Sequence, residues 1–299
     1  MADKNNLAYI LLFLAAFFWS GNFIVGKFAS YYQIPPFSLN FYRWLFAWLI
    51  LAPFTIQEIL KKKNYIFENY KYYAILGITS VTIFNSIVYY SLNFTQVISG
   101  VLMISTIPVM IIFISSILKI EKTNIFQLLG VSFSFLGVIL IITKAKFEIL
   151  MNLDFNKGDI TMVLGMLSWA TYSALLKKKT HQLSQLTLLE VVISFGFLFL
   201  IPIYFIEYQM GFRLELDKNF IMVLSYVVLF PGLLSFIFWI KGISLIGANR
   251  SGVFLHMMPI LSAIMAMIIF DEKFMFYHML GAIFILIGII LSNRKTKNA

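Results

Sequence analysis

The chain has 299 residues, of which 61% are hydrophobic and only 12% are charged. A soluble domain carries about a quarter charged residues, so this chain has too little polar surface for a water-soluble globule and is predicted to lie in lipid. Its net charge of +10 falls in short loops, which argues against nucleic-acid binding, and the absence of cysteine excludes disulfides, thiol nucleophiles and cysteine-ligated metals.

Apolar windows long enough to span a bilayer, which takes about 20 residues, recur along the whole chain. The first window follows Lys4; it is too long for the apolar core of a secretory signal, and no small-residue cleavage site follows it. The sequence predicts about ten transmembrane helices, at 7–27, 37–57, 72–93, 96–118, 125–143, 159–178, 186–206, 219–241, 249–270 and 275–292. No linker between them is large enough to fold as a separate domain.

The distribution of Lys and Arg predicts which side of the membrane each loop faces. With a cytoplasmic N-terminus, 15 of the 23 Lys and Arg residues fall in cytoplasmic segments, 7 fall outside, and Arg43 lies within a helix. We therefore expect a multi-pass protein of the bacterial inner (plasma) membrane with both termini in the cytoplasm.

An internal duplication relates the two halves of the chain. The residues that recur at an offset of 151 are Pro108, Glu121, Lys122, Gly130 and Gly137, which return as Pro259, Glu272, Lys273, Gly281 and Gly288. The pair Pro53 and Glu58 recurs as Pro202 and Glu207 at an offset of 149, and Trp19 recurs as Trp169 at an offset of 150. We infer two repeats, at 7–143 and 159–292.

The duplication has a geometric consequence for the membrane topology. Each repeat has five predicted helices, an odd number, so the second repeat must begin on the opposite side of the membrane from the first. Inverted repeats of this kind are common in secondary transporters, where the substrate site lies near the membrane midplane between the halves.

The segment Phe18-Trp19-Ser20-Gly21-Asn22-Phe23, with Lys27, Arg43 and the repeated proline, glutamate and glycine series, resembles the EamA family of the drug/metabolite transporter superfamily. The resemblance covers about residues 7–292. It implies an all-α integral membrane protein with two inverted five-helix repeats. It also implies a central cavity lined mainly by the first, third, fourth, sixth, eighth and ninth helices, and a relationship to exporters of amino acids or related metabolites.

Polar and aromatic residues on those helices are the candidates for substrate binding: Trp19, Asn22, Asn85, Tyr89, Tyr90, Ser105, Trp169, Tyr172 and Trp239. Asn22 lies one helical turn from Trp19, and Tyr89 lies one turn from Asn85, so each pair shares a helix face. Aromatic residues at this spacing can equally be packing residues. An amide within a membrane span needs a partner, however, and a substrate could supply it.

Charged residues in or near the spans have two interpretations. Arg43 lies six residues past Phe37, or about 9 Å along a helix, where it could be a cavity or gating charge or could snorkel to the headgroups. Lys27, at the end of the first span, has the same two interpretations. Glu190 is expected near the interface and solvated, which argues modestly against a cation antiporter.

His256 is predicted to be the only histidine within a span, three residues before Pro259. Its ordinary pKa makes it the candidate for proton coupling or substrate hydrogen bonding; the alternative is a bond to a neighbouring helix. Pro108 and Pro259 are predicted mid-span, where a proline frees a carbonyl and forms either a hinge or a static kink.

Two further repeated features have structural interpretations. Glu121 and Glu272 follow the fourth and ninth helices and are expected to accept hydrogen bonds from the N-terminus of the next helix. The repeated glycines are spaced by seven residues and therefore predict close helix packing.

These features together favour a secondary transporter that exports amino acids or derivatives by alternating access. Multidrug or cation efflux, or nutrient import by the same fold, is the alternative. No Walker motif indicates ATP as the driver, and the spans lack the paired acids or deep metal cluster of an intramembrane enzyme. We expect no cofactor or metal, a small-molecule substrate and a monomer in the lipid bilayer, with protons as a possible coupling ion.

Overall fold

The computed structural model describes residues 2–94, 103–152, 157–178, 182–270 and 275–294. Within these ranges the chain forms helices and connecting turns, with no strand. This agrees with the all-α architecture that the sequence predicts.

We number ten main helices in chain order. They are α1 (Ala2–Tyr31), α2 (Pro36–Lys61), α3 (Tyr70–Ser91), α4 (Ile107–Ile117), α5 (Ile125–Ile142), α6 (Lys157–Lys178), α7 (Gln185–Gln209), α8 (Lys218–Ile246), α9 (residues 248–270) and α10 (Phe276–Ser292). Short helices at Lys63–Glu68 and Phe147–Met151 lie in two of the linkers. Seven helices in the described part are long and apolar enough to cross a membrane, while α4 and α10 are shorter apolar helices.

Local sequence signals set several helix ends. The side chain of Asn124 accepts from the Gln127 N–H at 2.9 Å, and the Gln127 side chain accepts from the Asn124 N–H at 3.1 Å, which forms a capping box at the start of α5. Asp217 caps α8 through the Phe220 N–H at 2.8 Å. At the start of α2, Pro36 needs no hydrogen-bond partner for its nitrogen.

Helices α5 and α10 pack closely and antiparallel through the repeated glycines. A Cβ atom added to Gly130 would lie 2.5 Å from the Gly288 carbonyl oxygen, and one added to Gly137 would lie 2.5 Å from the Gly281 carbonyl oxygen. The prediction of close helix packing is confirmed. The repeat equates Gly130 with Gly281 and Gly137 with Gly288, so this crosswise pairing is what a two-fold relation between α5 and α10 requires.

Helices α2 and α7 hold each other's ends in a reciprocal way. Glu207, at the end of α7, accepts from the N–H groups of Phe37 and Ser38 at 3.0 and 2.6 Å, at the start of α2. Glu58, at the end of α2, accepts from the Ser184 N–H at 2.9 Å and the Thr187 hydroxyl at 2.6 Å, at the start of α7. We call these contacts the Glu207 clasp and the Glu58 clasp.

The two clasps occupy opposite ends of the antiparallel pair. Ser38 and Thr187 are separated by 149 residues, the same offset that relates Glu58 to Glu207. A carboxylate beside helix N–H groups is favoured by both the hydrogen bonds and the helix dipole. The equal offset shows that the clasps are repeat-related versions of one contact.

Glu121 caps a helix other than the predicted one. Its carboxylate accepts from the Ala248 and Asn249 N–H groups at 3.1 and 2.9 Å, at the start of α9 in the second half. The next helix, α5, already has Asn124 as its cap, and Gly247 at φ 90° turns the chain so that α9 begins beside Glu121. We call this third contact the Glu121 clasp; Glu272 lies outside the described residues.

Candidate substrate site

Two repeat-related π-helical turns interrupt the third helix of each half. Ile78–Phe84 forms the turn in α3, and Val228–Leu234 forms the turn in α8, at an offset of 150 residues. Such turns often mark functional sites, because they release backbone groups from the helical pattern. The sequence signals only the second turn, through Pro231, whose carbonyl accepts from the Trp19 indole N–H at 3.1 Å.

An aromatic cluster packs between the halves. The ring centroids of Trp19 and Trp169 lie 5.2 Å apart and those of Trp19 and Trp239 lie 5.4 Å apart, at interplanar angles of 87° and 66°. Phe236 packs edge-to-face on Trp169 at 5.2 Å, an arrangement that aromatic quadrupoles favour. The structure thus brings together three tryptophans that the sequence singled out, and adds Phe236, which it did not.

A polar network from the first half lies beside this cluster. Arg43 donates from Nη1 to the Asn85 Oδ1 at 2.9 Å and to the Tyr89 hydroxyl at 2.7 Å. The Tyr89 hydroxyl in turn donates to the Asn22 Oδ1 at 3.1 Å. Arg43 is fully buried, so it does not snorkel to the membrane surface; its guanidinium carbon lies 4.9 Å from the centre of the Trp44 ring.

A small cavity separates the aromatic cluster from the polar network. It offers about 30 Å³ to water, which is room for one or two water molecules and far below the ~300 Å³ of a typical ligand site. Its lining residues are Trp19, Asn22, Phe84, Asn85, Val88, Ile104, Ile107, Trp169, Leu255 and Met258. In this conformation the centre of the bundle is therefore too narrow to hold a typical ligand.

His256 lies outside this lining. It is fully buried, with Nε2 2.8 Å from the Ser105 carbonyl oxygen and Nδ1 2.5 Å from the Ser134 hydroxyl. Because a carbonyl can only accept, Nε2 carries a proton, and Ser134 donates to Nδ1 when the ring is neutral. His256 and Ser105 are separated by 151 residues, so repeat-related positions meet here.

The two repeated prolines start helical segments rather than interrupt them. Pro108 lies in the first turn of α4, and Pro259 lies in the first turn of Met257–Phe270, after the 3₁₀ turn Val253–His256. A proline in the first turn of a helical segment needs no intrahelical partner for its nitrogen. Pro259 still lies near the middle of α9, and whether the two prolines act as hinges stays a prediction. Both still adjoin a break in the α-helical pattern.

Other candidates are spread around the site. Tyr172 packs on Trp169 at 5.1 Å and is buried, and its hydroxyl has no partner among the described residues. Tyr90 is 37% exposed, stacks on Phe37 and lines a second cavity of about 740 Å³ beside the Glu207 clasp. The Lys27 side chain lies outside what the structure describes.

Glu190 is buried, and the expectation of a solvated interfacial acid is wrong. Only 1% of the residue is exposed, and its Oε2 has no hydrogen-bond partner in the described part of the chain. The position of Glu190 along α7 predicted a solvated side chain. Burial depends instead on which face of α7 packs against the rest of the bundle.

The hydrogen-bond relay through Tyr89 predicts a stability effect. Tyr89→Phe leaves the buried Arg43 with one acceptor fewer, so we expect a loss of about 2 kcal/mol, typical of a hydrogen bond to a charged group. Thermal unfolding of the purified protein in detergent measures this loss of stability. Tyr90→Phe, at the neighbouring half-exposed position, is the matched control, and equal melting temperatures for the two variants would contradict the relay.

Comparisons with known proteins agree with this architecture. The model of the EamA-like transporter family matches residues 6–143 and 156–294. The chain is 23% identical to the uncharacterized transporter YyaM of Bacillus subtilis over 97% of this chain and 94% of that one. It is 25% identical to an uncharacterized transporter of Archaeoglobus fulgidus over 97% of this chain and 99% of that one.

A solved crystal structure of another protein has the same fold. It superimposes with a TM-score of 0.73 at 15% sequence identity and covers 95% of each chain. With the two family matches and the helices described above, the conclusion is that this multi-pass membrane protein belongs to the EamA-like transporter family.

Proposed function

We propose that this protein is a secondary transporter that moves a small organic metabolite by alternating access, and that its cargo is an exported amino acid or derivative. The observation that carries the proposal is the pair of reciprocal clasps at opposite ends of α2 and α7, with a small cavity at the centre. A two-fold frame of this kind can exist in two related states, one open to each side.

The clasps are the contacts that such a motion would exchange. Glu58 and Glu121 join the halves at the end of the bundle where α2 and α4 finish, and Glu207 joins them at the other end. Hydrogen bonds from helix N-termini to a carboxylate are local and can be broken singly. Following the Lys and Arg distribution, we assign the Glu58 end to the cytoplasm and the Glu207 end to the outside.

The substrate class is tested by the thermal stability of the purified protein against amino acids, amines, nucleosides, sugars and phosphorylated metabolites. A ligand that binds only the folded state stabilises it, by about 2.7 kcal/mol at 100 times its Kd. We expect a shift with amino acids or their derivatives, followed by transport of the same solutes in proteoliposomes.

Cation efflux is the second candidate, and the buried carboxylate of Glu190 is the observation that favours it. Stabilisation by organic cations alone would replace the amino-acid proposal with this one. No shift by any solute, and no transport in proteoliposomes, would contradict a transport function.

The clasps predict opposite effects on access to the centre. The chain has no native cysteine, so Val88→Cys, in the cavity lining, can be labelled alone. In right-side-out vesicles we expect Glu207→Gln to speed its reaction with a membrane-impermeant maleimide, because the outer end loosens. Glu58→Gln should slow it, because the protein shifts towards the inward-open state.

The control for this experiment is Glu68→Gln, at an exposed position, which should leave the labelling rate unchanged. Opposite shifts with the signs reversed would retain the mechanism and invert the assigned topology. Equal shifts for Glu58→Gln and Glu207→Gln would contradict alternating access through these clasps.

We also propose that His256 takes up the coupling proton. In the charged state Nδ1–H can donate to Ser134, whose own hydroxyl hydrogen can turn to the Gly130 carbonyl at 2.9 Å, so both protonation states are fully bonded.

His256→Gln should flatten the pH dependence of transport. Ser134→Ala, which removes the partner but keeps the ring, should shift that dependence. A functional His256→Gln variant with an unchanged pH profile would contradict the role.

A further inference from the structure

We infer that the central site holds its cargo by a carboxylate, and that an amino group on the cargo is dispensable. The inference rests on the proposed transport function and specifies which chemical end of the solute the protein recognises. It comes from the hydrogen-bond polarity of the cavity wall and from the absence of an acid facing it among the described lining residues.

The two halves differ in chemistry at positions that the duplication makes equivalent. In four such pairs the first half carries the more polar residue and the second half a less polar or bulkier one. At an offset of 150 the pairs are Asn22 and Tyr172, Asn85 and Ser235, and Tyr89 and Trp239; at an offset of 149 the pair is Arg43 and Val192. The backbone is therefore close to two-fold symmetric while the site is not. The two amides of the cavity wall, Asn22 and Asn85, both come from the first half, and the second half contributes Trp169, Leu255 and Met258. A bound solute therefore has one preferred orientation.

Arg43 is a buried cation with no carboxylate among its hydrogen-bond partners in the described part of the chain. Every hydrogen bond that it makes in the described part of the chain ends on a neutral oxygen, and its Nε has no partner. The ion pair found among the described residues joins Lys62 and Glu58, at the end of α2. A charge so placed is costly unless an opposite charge compensates it, and a substrate anion can do so.

Arg43 also determines how the neighbouring amides face the cavity. An arginine has only donors, so Asn85 must turn its oxygen to Arg43, and Tyr89, which accepts from Arg43, must give its single hydrogen to the Asn22 oxygen. Both amide oxygens are thereby used, and both NH₂ groups remain. One Asn85 hydrogen goes to the Ser80 carbonyl at 2.7 Å. Asn22 lines the cavity, and among the described residues its side chain is bonded through its oxygen, to the Tyr89 hydroxyl.

The polar part of the cavity wall is consequently a set of N–H donors backed by a positive charge. Two amide groups suit the two oxygens of a carboxylate, which only accepts hydrogen bonds. An ammonium group would meet like-signed N–H dipoles there, and the described lining has no carboxylate to receive it. The tryptophan rings could attract a cation only weakly in comparison.

The rest of the lining requires that the anion be organic. Phe84, Val88, Ile104, Ile107 and Trp169 surround the remaining wall with apolar surface. An inorganic anion would leave that surface without a partner, and a phosphate would bring more oxygens than these donors can satisfy. The site therefore matches a monocarboxylate with an aromatic or branched apolar body.

Three solutes on one carbon skeleton separate the contributions of the charged groups. Phenylalanine carries both groups, 3-phenylpropanoate carries the carboxylate alone, and 2-phenylethylamine carries the amine alone. Thermal stability of the full-length protein in detergent gives the affinity of each. We expect shifts with phenylalanine and 3-phenylpropanoate of similar size, and no shift with 2-phenylethylamine or with sodium phosphate.

Asn22→Asp is the decisive variant, because it changes the NH₂ donors into acceptors at nearly constant size. This substitution should lower the affinity for 3-phenylpropanoate at least tenfold and allow 2-phenylethylamine to bind. Asn64→Asp, at an exposed position in the short helix Lys63–Glu68, adds the same charge and should change neither affinity. Arg43→Gln should also lower the affinity for 3-phenylpropanoate. If the Arg43→Gln protein does not fold, Asn22→Asp alone tests the inference.

Three results would overturn the inference: no response to 3-phenylpropanoate, an equal response to 2-phenylethylamine, or an acid affinity unchanged in Asn22→Asp. These results differ from failure of the transport function, in which no solute of the broad panel shifts stability or crosses proteoliposomes. A response to phosphate in place of 3-phenylpropanoate would replace the organic acid with an inorganic anion.

Discussion

The N–H groups at the start of a helix must find acceptors, and the bilayer interior supplies none. Here the acceptors come from the opposite half of the chain: Glu58 serves α7, Glu207 serves α2, and Glu121 serves α9. Each carboxylate therefore satisfies a helix end and joins the two halves in one contact. These contacts lie at the ends of the bundle and consist of a few hydrogen bonds, so the proposed transport cycle could exchange them without unpacking the helices.

The packing of the two halves is close to two-fold symmetric, whereas the residues near the centre of the bundle differ between the halves. The crosswise glycine contacts of α5 and α10 and the two π-helical turns follow the duplication closely. At the centre, Arg43 has Val192 as its counterpart, and Tyr89 has Trp239. In the proposed transport cycle, symmetry in the packing residues would let the halves rock between equivalent states, and the unequal residues near the centre would give the cargo a defined orientation.

Part of the site could be predicted from the sequence, because the family resemblance and the helix-face spacing selected polar and aromatic residues on the central helices. Of these, Trp19 and Trp169 are in contact, and Asn22 and Asn85 line the cavity. The sequence did not reveal the first π-helical turn, which contains no proline, or the hydrogen bonds that orient the two amides. His256 was correctly placed in the interior but lies behind the lining, since a span position specifies depth and not direction.

The sequence by itself determined the lipid environment, the helical fold and the duplication, because these depend on composition, on window length and on periodic matches along one chain. Only the tertiary structure decided which helix end each carboxylate serves. Glu121 lies beside the start of α9, more than a hundred residues away, rather than beside α5, which follows it directly. It also decided that Glu190 is buried and that Arg43 has neutral partners. Burial and pairing are relations between helices, and no single segment of the chain contains them.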